Sequence, residues 1–130
     1  MRRSRELSSQ NNEAIDLIIK IQTYRLKELL KWREYLNILV EAVKKVFDEK
    51  AEIYVFGSAV EDRLTVESDI DVAIVIEKVP EKSVERIKLL NKIWSYMEER
   101  GVPWWYPFEI HLVTRRELMM FRGSRFIKIL

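Results

Sequence analysis

The segment over residues 69–76 constrains the fold of this chain more than any other. It reads Asp-Ile-Asp-Val-Ala-Ile-Val-Ile, so apolar residues occupy both sets of alternating positions once the two aspartates are passed. Alternate residues of a strand point to the same face of a sheet, and a strand of this pattern is therefore covered on both faces for most of its length. The segment predicts a central strand in an α/β (α+β) core.

A long helical segment precedes this core. Residues 12–48 contain neither Pro nor Gly, and their apolar residues recur at helical spacing. The pattern predicts one long helix, or two helices with a bend near Thr23-Tyr24, with Ser9, Asn11 or Asn12 as the N-terminal cap. A helix of this length exceeds what so small a core can cover. We therefore expect part of it to project or to pack on another chain, including a second copy in a homo-oligomer.

The remaining elements follow from strand composition and from helix start and stop signals. The first three are a strand Glu52–Phe56, a short helix over 59–64 and a loop over 65–68. A helix over 80–100 that stops at Gly101 and a strand Phe108–Val113 follow after the central strand. A last helix starts with the capping box at 114–117, and the apolar tail over 126–130 forms a further strand or a docking segment. We expect one domain over residues 1–130, with a helical arm over 1–50 and an α/β core over 51–130.

Composition excludes several classes of protein. The chain has no cysteine, which rules out disulfides, thiolate metal sites and a cysteine nucleophile. Its formal net charge of +2 is too small to indicate a nucleic-acid partner. No apolar stretch is long enough for a membrane span and no signal sequence opens the chain, so we expect a cytoplasmic protein without a membrane partner.

Three acidic residues lie in predicted strands, where carboxylates are uncommon. Asp69 and Asp71 share one strand face, and Glu109 can reach the same place if its strand pairs with theirs. Neighbouring carboxylates repel each other and resist burial, and a bound divalent cation relieves both problems. The alternative is that the strand simply begins in solvent. With a cation, the oxygen donors suit Mg²⁺ or Mn²⁺.

Gly57 and Ser58 lie where a strand ends and the next turn begins. A glycine lets the backbone approach a phosphate closely, and the serine hydroxyl adds a donor. The complete pattern is Gly-Ser, ten residues, Asp-x-Asp, and an acid on a later strand. It places a phosphate-binding turn opposite a three-carboxylate metal site, which is the arrangement that two-metal phosphoryl transfer requires.

These residues give the chain its resemblance to a known family. Gly57-Ser58, Asp69-Ile-Asp71 and Glu109 match the signature of the DNA polymerase β-like nucleotidyltransferase superfamily. The segments Val-Phe-Gly-Ser, Ser-Asp-Ile-Asp-Val and Phe-Glu-Ile-His-Leu-Val-Thr resemble its minimal nucleotidyltransferases, the archaeal members especially. The resemblance covers about residues 50–118. It implies a small mixed sheet flanked by helices and preceded by a long N-terminal helix.

The resemblance also implies roles for individual residues. Ser58 would bind the β- and γ-phosphates together with the local backbone amides. Asp69 and Asp71 would bridge two Mg²⁺ or Mn²⁺ ions, and Glu109 would complete the site of the ion that activates the acceptor hydroxyl. Arg63 would contact the triphosphate of ATP or, alternatively, be a solvated helix residue.

Two features depart from the family pattern. Thr65-Val-Glu-Ser68 replaces the glycines that relatives often carry before Asp-x-Asp, which predicts a stiffer loop. The third acid is Glu109 rather than the more widespread aspartate. Nearby, His111 shares the strand face of Glu109 and either lines the site, orients a carboxylate or is structural. The cluster Trp104-Trp105-Tyr106 either stacks a base, binds a partner or packs its own loop.

The leading hypothesis is an enzyme that transfers AMP from ATP to an acceptor hydroxyl. By resemblance, the acceptor is a tyrosine of a helical HEPN toxin, and this chain is the antitoxin because it has no arginine at HEPN spacing before His111. The alternative is a catalytically weak or inactive antitoxin that binds its partner through the first helix and the tryptophans. A third hypothesis is transfer to a small molecule, for which 130 residues leave little room for an acceptor-binding domain, or to RNA, for which the weakly basic charge balance provides no groove.

Overall fold

The computed structural model describes residues 2–61, 64–65, 67–120 and 125–130. The helices and strands of these residues are, in chain order, α1 (Arg2–Leu30), α2 (Trp32–Phe47), β1 (Glu52–Phe56), β2 (Ile70–Val75), α3 (Ser83–Glu99), β3 (Phe108–Val113), α4 (Arg115–Leu118) and β4 (Phe126–Lys128).

The strands form a four-stranded mixed sheet in the order β3-β2-β1-β4. Strands β2 and β3 are parallel, whereas β1 is antiparallel to both β2 and β4. This architecture confirms the predicted α+β fold with helices around a small mixed sheet. The bounds of β1 and β3 match the predictions, β2 is one residue shorter at each end, and the apolar tail forms the edge strand β4.

One face of the sheet carries the main core. It presents the fully buried residues of β1 and β2 to α2 and α3, and the contacting side chains include Ile53, Val55, Val72, Ile74, Leu39, Val43, Ile93 and Met97. Helix α2, although it lies within the residues predicted as an arm, therefore packs on the sheet. Trp32 is buried and Tyr35 half-buried at the start of α2.

The opposite face of β2 is also covered, as its sequence predicts. Ala73 and Val75 are buried there with Phe56, Val113 and Leu118 of the flanking elements. Thr114 caps the following helix as predicted, and its hydroxyl accepts a hydrogen bond from the Glu117 backbone N–H at 3.2 Å, which is one half of the predicted capping box. The resulting helix, α4, has only four residues. This face is covered more thinly than the first.

Helix α1 begins earlier than predicted. Its backbone is helical from Arg2, so Ser9, Asn11 and Asn12 do not cap it, because the helix runs through all three. The side chains over 11–27 are exposed, including a run of apolar residues, Ile15, Leu17, Ile18, Ile19, Ile21 and Tyr24. These side chains are thus not covered by the core, and the expectation that this part of the helix projects or packs on another chain stays a prediction. Within the described ranges, no helix is both long and apolar enough to cross a bilayer.

The predicted bend near Thr23-Tyr24 is wrong, since the helix breaks at Lys31. The Tyr106 hydroxyl donates to the backbone carbonyl of Leu29 at 2.9 Å, and occupies an acceptor that a continuous helix would use itself. Buried Glu28 accepts hydrogen bonds from Lys31 Nζ at 2.8 Å and from the Tyr35 hydroxyl at 2.7 Å. One tertiary contact, from Tyr106, and the local hydrogen bonds of Glu28 therefore accompany the break.

Two further bounds differ from prediction. Helix α3 starts at Ser83 rather than at Pro80, because the Arg86 guanidinium donates to the carbonyls of Pro80 and Glu81 at 2.8 Å each and holds that segment as a bend. At its other end, Gly101 adopts φ +97° and ends the helix as predicted. Residues 62 and 63 of the predicted helix over 59–64 lie outside the described residues; of the others, Ala59 ends a single 3₁₀ turn, Gly57–Ala59, and Val60 and Glu61 form a turn rather than an α-helix.

Candidate active site

Strand register brings two of the predicted acids together. Asp71 of β2 is the direct partner of Glu109 in the parallel strand β3. The pKa of the Asp71 carboxyl is raised to about 6, first because burial disfavours its charged form, and then because the Glu109 carboxyl lies beside it. The strand pairing on which the prediction depended is thus present. Two carboxylates share one small volume on the thinly covered face of the sheet.

His111 completes this cluster. Its Nε2 lies 3.8 Å from Asp71 Oδ1 and 3.7 Å from Glu109 Oε1. The His111 ring thus lies at the carboxylates, which favours the interpretations that it lines the site or orients a carboxylate. The sequence feature that indicates this position is the alternation of strand β3, which places residue 111 on the same face as residue 109.

Asp69 lies at the edge of the cluster. It immediately precedes β2 and is exposed, because the strand begins at Ile70, whose backbone N–H donates to the Pro107 carbonyl at 2.7 Å. Its negative charge contributes to the raised pKa of Asp71. Among the described residues, the group whose ligand atoms all lie within 4.8 Å of one another is Asp71, Glu109 and His111.

The Gly57–Ala59 turn lies directly against the Asp71 carboxylate. Gly57 has φ +79°, and a Cβ added to it would overlap Asp71 Oδ2. A glycine is therefore favoured by the backbone conformation, and a Cβ at this position would also force the end of the Asp71 side chain to shift. Ser58, the next residue, is half-buried. The backbone N–H groups of Val60 and Glu61 donate to the Gly57 carbonyl at 3.2 and 3.3 Å and close the turn.

The loop before the aspartates is held by its own hydrogen bonds. Ser68 Oγ accepts from the Thr65 backbone N–H at 2.8 Å, and the Ser68 N–H donates to the Thr65 carbonyl at 3.0 Å. The loop prediction over 65–68 is confirmed at these two residues. Arg63, the predicted triphosphate contact, lies outside the described residues.

The tryptophan cluster lies on the segment that leads into β3. Trp105 packs near Tyr24 of α1 with ring centroids 6.3 Å apart, while Trp104 is 78% exposed. An open groove of about 400 Å³ runs between this segment and α1, lined by Lys20, Ile21, Tyr24, Arg25, Trp104 and Trp105. None of the clustered acids lines this groove, so it is separate from the carboxylate site.

The donor set of the cluster fits a divalent cation. Two carboxylates and one imidazole supply oxygen and nitrogen ligands within the reach of one ion. The raised pKa of Asp71 reflects, first, the burial of its carboxyl and, second, the neighbouring Glu109 carboxylate, both of which disfavour a second negative charge at this place. A bound cation would supply the missing positive charge.

Comparison with known proteins now identifies the family. A family model described as a nucleotidyltransferase domain matches residues 36–121. The fold resembles a putative nucleotidyltransferase from Sulfolobus solfataricus, with a TM-score of 0.50 and 20% identity over 78% of this chain and 84% of that one. Another putative nucleotidyltransferase is 33% identical over 71% of this chain and 96% of that one, with a TM-score of 0.49.

A comparison with curated proteins finds no significant match. The family model spans well over half of the 130 residues and includes Gly57, Asp71 and Glu109. The chain therefore belongs to the nucleotidyltransferase domain family and is a transferase.

Proposed function

We propose that this nucleotidyltransferase transfers AMP from ATP to the hydroxyl of an acceptor, with its active site at Asp71 and Glu109. The observation that carries the proposal is the direct pairing of these two carboxylates beside the Gly57 turn. A phosphate-binding turn and a cation-binding pair are the two parts that nucleotidyl transfer needs, and here they adjoin.

Asp69, Asp71 and Glu109 are the proposed ligands of two Mg²⁺ or Mn²⁺ ions. Members of this family generally use divalent metals, and the clustered donors support such a site. When bound, the ions neutralise the triphosphate and favour ionisation of the attacking hydroxyl. Asp69 is exposed and lies beside the cluster. An ion held by Asp69 would therefore also bind water or phosphate oxygens.

The Gly57–Ala59 turn is the proposed site of the β- and γ-phosphates. The missing side chain of Gly57 leaves its backbone open to a close approach, and Ser58 offers a hydroxyl donor. Arg63 is proposed to add a positive charge to the triphosphate. These contacts would orient the leaving pyrophosphate away from the acceptor.

The proposed reaction is an in-line displacement at the α-phosphorus of ATP. The acceptor oxygen forms a bond to the α-phosphorus while the bond from that phosphorus to the bridging α,β-oxygen breaks. Pyrophosphate leaves, and the hydroxyl proton passes to the Glu109 carboxylate. Glu109 is suited to this because it is the more exposed of the two paired acids and can face an incoming acceptor.

The proposed acceptor is a protein hydroxyl, a tyrosine of a helical HEPN toxin, which would make this chain a cytoplasmic antitoxin of the minimal nucleotidyltransferase type. The resemblance of the sequence motifs supports this role. The exposed apolar side chains of α1 and the exposed Trp104 also offer a surface on which a protein acceptor could dock.

A second candidate is an antitoxin that neutralises its partner by contact alone. The same exposed surface favours it, because docking of a partner on α1 needs no transfer of a nucleotide. The two candidates differ in whether the carboxylates are required.

Label transfer distinguishes them. The protein is incubated with Mg²⁺ or Mn²⁺ and ATP labelled at the α-phosphate, with and without the protein encoded beside it. We expect label on the neighbouring protein, lost in Asp71→Asn and Glu109→Gln but retained in Glu52→Gln, a carboxylate at the opposite end of the sheet. Tight binding without label, unchanged in the two site variants, would support contact inhibition instead.

A further inference from the structure

The single histidine of the chain faces the carboxylate pair. The separations between His111 Nε2 and the nearest oxygens of Asp71 and Glu109 are 3.8 and 3.7 Å. Two ligand atoms bound to one cation at bond lengths near 2.0–2.2 Å can lie no more than ~4.4 Å apart. Both separations are within this bound, and the ligand atoms of all three side chains lie within 4.8 Å of one another, so small adjustments would allow one ion to contact all three.

We propose that His111 is a nitrogen ligand of this cation and that it makes the centre prefer a first-row transition cation such as Mn²⁺ over Mg²⁺. The proposal rests on the proposed function, because it concerns the cation that the function requires. It goes further in naming a ligand outside the three acids and a selectivity that the acids alone would not give.

The packing around His111 places its ring over the sheet. In the register of β2 and β3, His111 lies beside Ala73, which is fully buried and whose methyl side chain leaves room for an imidazole. The Phe56 ring lies near it, with centroids 5.7 Å apart. The imidazole is half-buried between these groups and the carboxylates, an orientation that points Nε2 at the proposed ion.

The selectivity follows from ligand chemistry. Mg²⁺ takes oxygen ligands and retains much of its water, whereas imidazole binds the first-row transition cations more strongly. Replacing one oxygen ligand by the His111 nitrogen therefore favours a transition cation over Mg²⁺. Without the imidazole, the site would offer oxygen ligands only.

Pulsed electron paramagnetic resonance of bound Mn²⁺ tests the proposal on tag-free wild-type protein. Since His111 is the one histidine in the chain, imidazole ¹⁴N coupling to Mn²⁺ can come from no other side chain. We expect that coupling, together with a Mn²⁺ dissociation constant at least ~10-fold below that of Mg²⁺ in calorimetry. In His111→Ala the coupling should vanish and Mn²⁺ affinity should fall ~10–100-fold, while Mg²⁺ affinity changes less than ~3-fold.

The control is Glu52→Gln, which removes a carboxylate from the same sheet far from the cluster and should leave Mn²⁺ affinity and the ¹⁴N coupling unchanged. Mn²⁺ that binds without ¹⁴N coupling, and equally well in His111→Ala, overturns the inference but leaves the carboxylate site of the proposed function intact. No binding of Mn²⁺ at millimolar concentration overturns both. The wild-type spectrum decides even if the variant does not fold.

Discussion

At the scale of single residues, Asp71 is held at a cost to stability. Its pKa is raised to about 6 by burial and by Glu109, compared with about 3.9 in an unfolded chain. Between these two values the folded state binds more protons than the unfolded state. The free energy of unfolding of the metal-free protein therefore falls as the pH rises through this window, and the full penalty is present above pH 6.

The first prediction is that Asp71→Asn abolishes nucleotidyl transfer but stabilises the metal-free protein at neutral pH. Removing the charge relieves first the cost of burying it and then its repulsion by Glu109, and because solvent partly screens this half-buried side chain we expect a gain of about 1 kcal/mol. Urea unfolding in chelator at pH 7.5 and at pH 4 measures it, with the gain absent at the lower pH. A loss of stability at pH 7.5 would contradict the assigned cause.

The second prediction compares the two glycines of positive φ. Gly57→Ala meets both the strained φ of +79° and an overlap with the Asp71 carboxylate, whereas Gly101→Ala meets a φ of +97° in open space. We expect Gly101→Ala to cost about 1 kcal/mol and Gly57→Ala to cost about 1–3 kcal/mol more.

Only Gly57→Ala should also weaken Mn²⁺ binding, because its new methyl group displaces a ligand. Denaturant titration and calorimetry on both variants provide the measurements. Equal losses of stability in the two variants, with unchanged metal affinity in Gly57→Ala, would show that a side chain at position 57 does not displace the Asp71 carboxylate.

At the scale of elements, the sequence predicts the strands better than the helix ends. The strand composition of Glu52–Phe56 and Phe108–Val113 predicts the bounds of β1 and β3, since the residues that favour each strand lie within it. The pairing of Asp71 with Glu109 could be expected only on the condition that the two strands are neighbours, because register is a property of the sheet and not of either segment. The place of Asp69 just before the strand was not evident from alternation either, because it depends on where the pairing begins.

The break in the helix shows why some features could not be predicted. It occurs at Lys31 because the Tyr106 hydroxyl, 77 residues further along the chain, donates to the Leu29 carbonyl. No local pattern near residue 31 contains this contact. The predicted start of α1 was wrong for another reason. Ser9, Asn11 and Asn12 are residue types that can cap a helix, but here the residues before them are helical as well.

The third prediction tests that contact. Tyr106→Phe keeps the buried ring but leaves the Leu29 carbonyl without its donor, and we expect a loss of about 1–2 kcal/mol. Amide hydrogen exchange should become faster at the end of α1 and the start of α2, with little change in the sheet. Tyr96→Phe is the control, because its hydroxyl makes only a long contact of 3.4 Å with exposed Glu41. A loss spread evenly over the whole molecule would contradict a local role for this hydrogen bond.

At the scale of the whole molecule, the chain combines a packed sheet with a helix that buries little of its apolar surface. The fourth prediction is that Ile18→Asp with Ile19→Asp changes the free energy of unfolding by less than about 0.5 kcal/mol per residue, because both side chains are 54% exposed. The same change should leave Mn²⁺ affinity intact and abolish label transfer to the acceptor protein. Undiminished transfer would show that the acceptor docks elsewhere.

The proposed function depends most on one arrangement, in which a cation at Asp71 and Glu109 faces a triphosphate on the Gly57–Ala59 turn. A crystal structure with Mn²⁺ and an ATP analogue that cannot be cleaved between its α- and β-phosphates tests it directly. We predict anomalous density for Mn²⁺ in contact with both carboxylates and phosphate density beside Ser58. Manganese density away from this pair, or a triphosphate bound on another surface, would contradict the proposed active site.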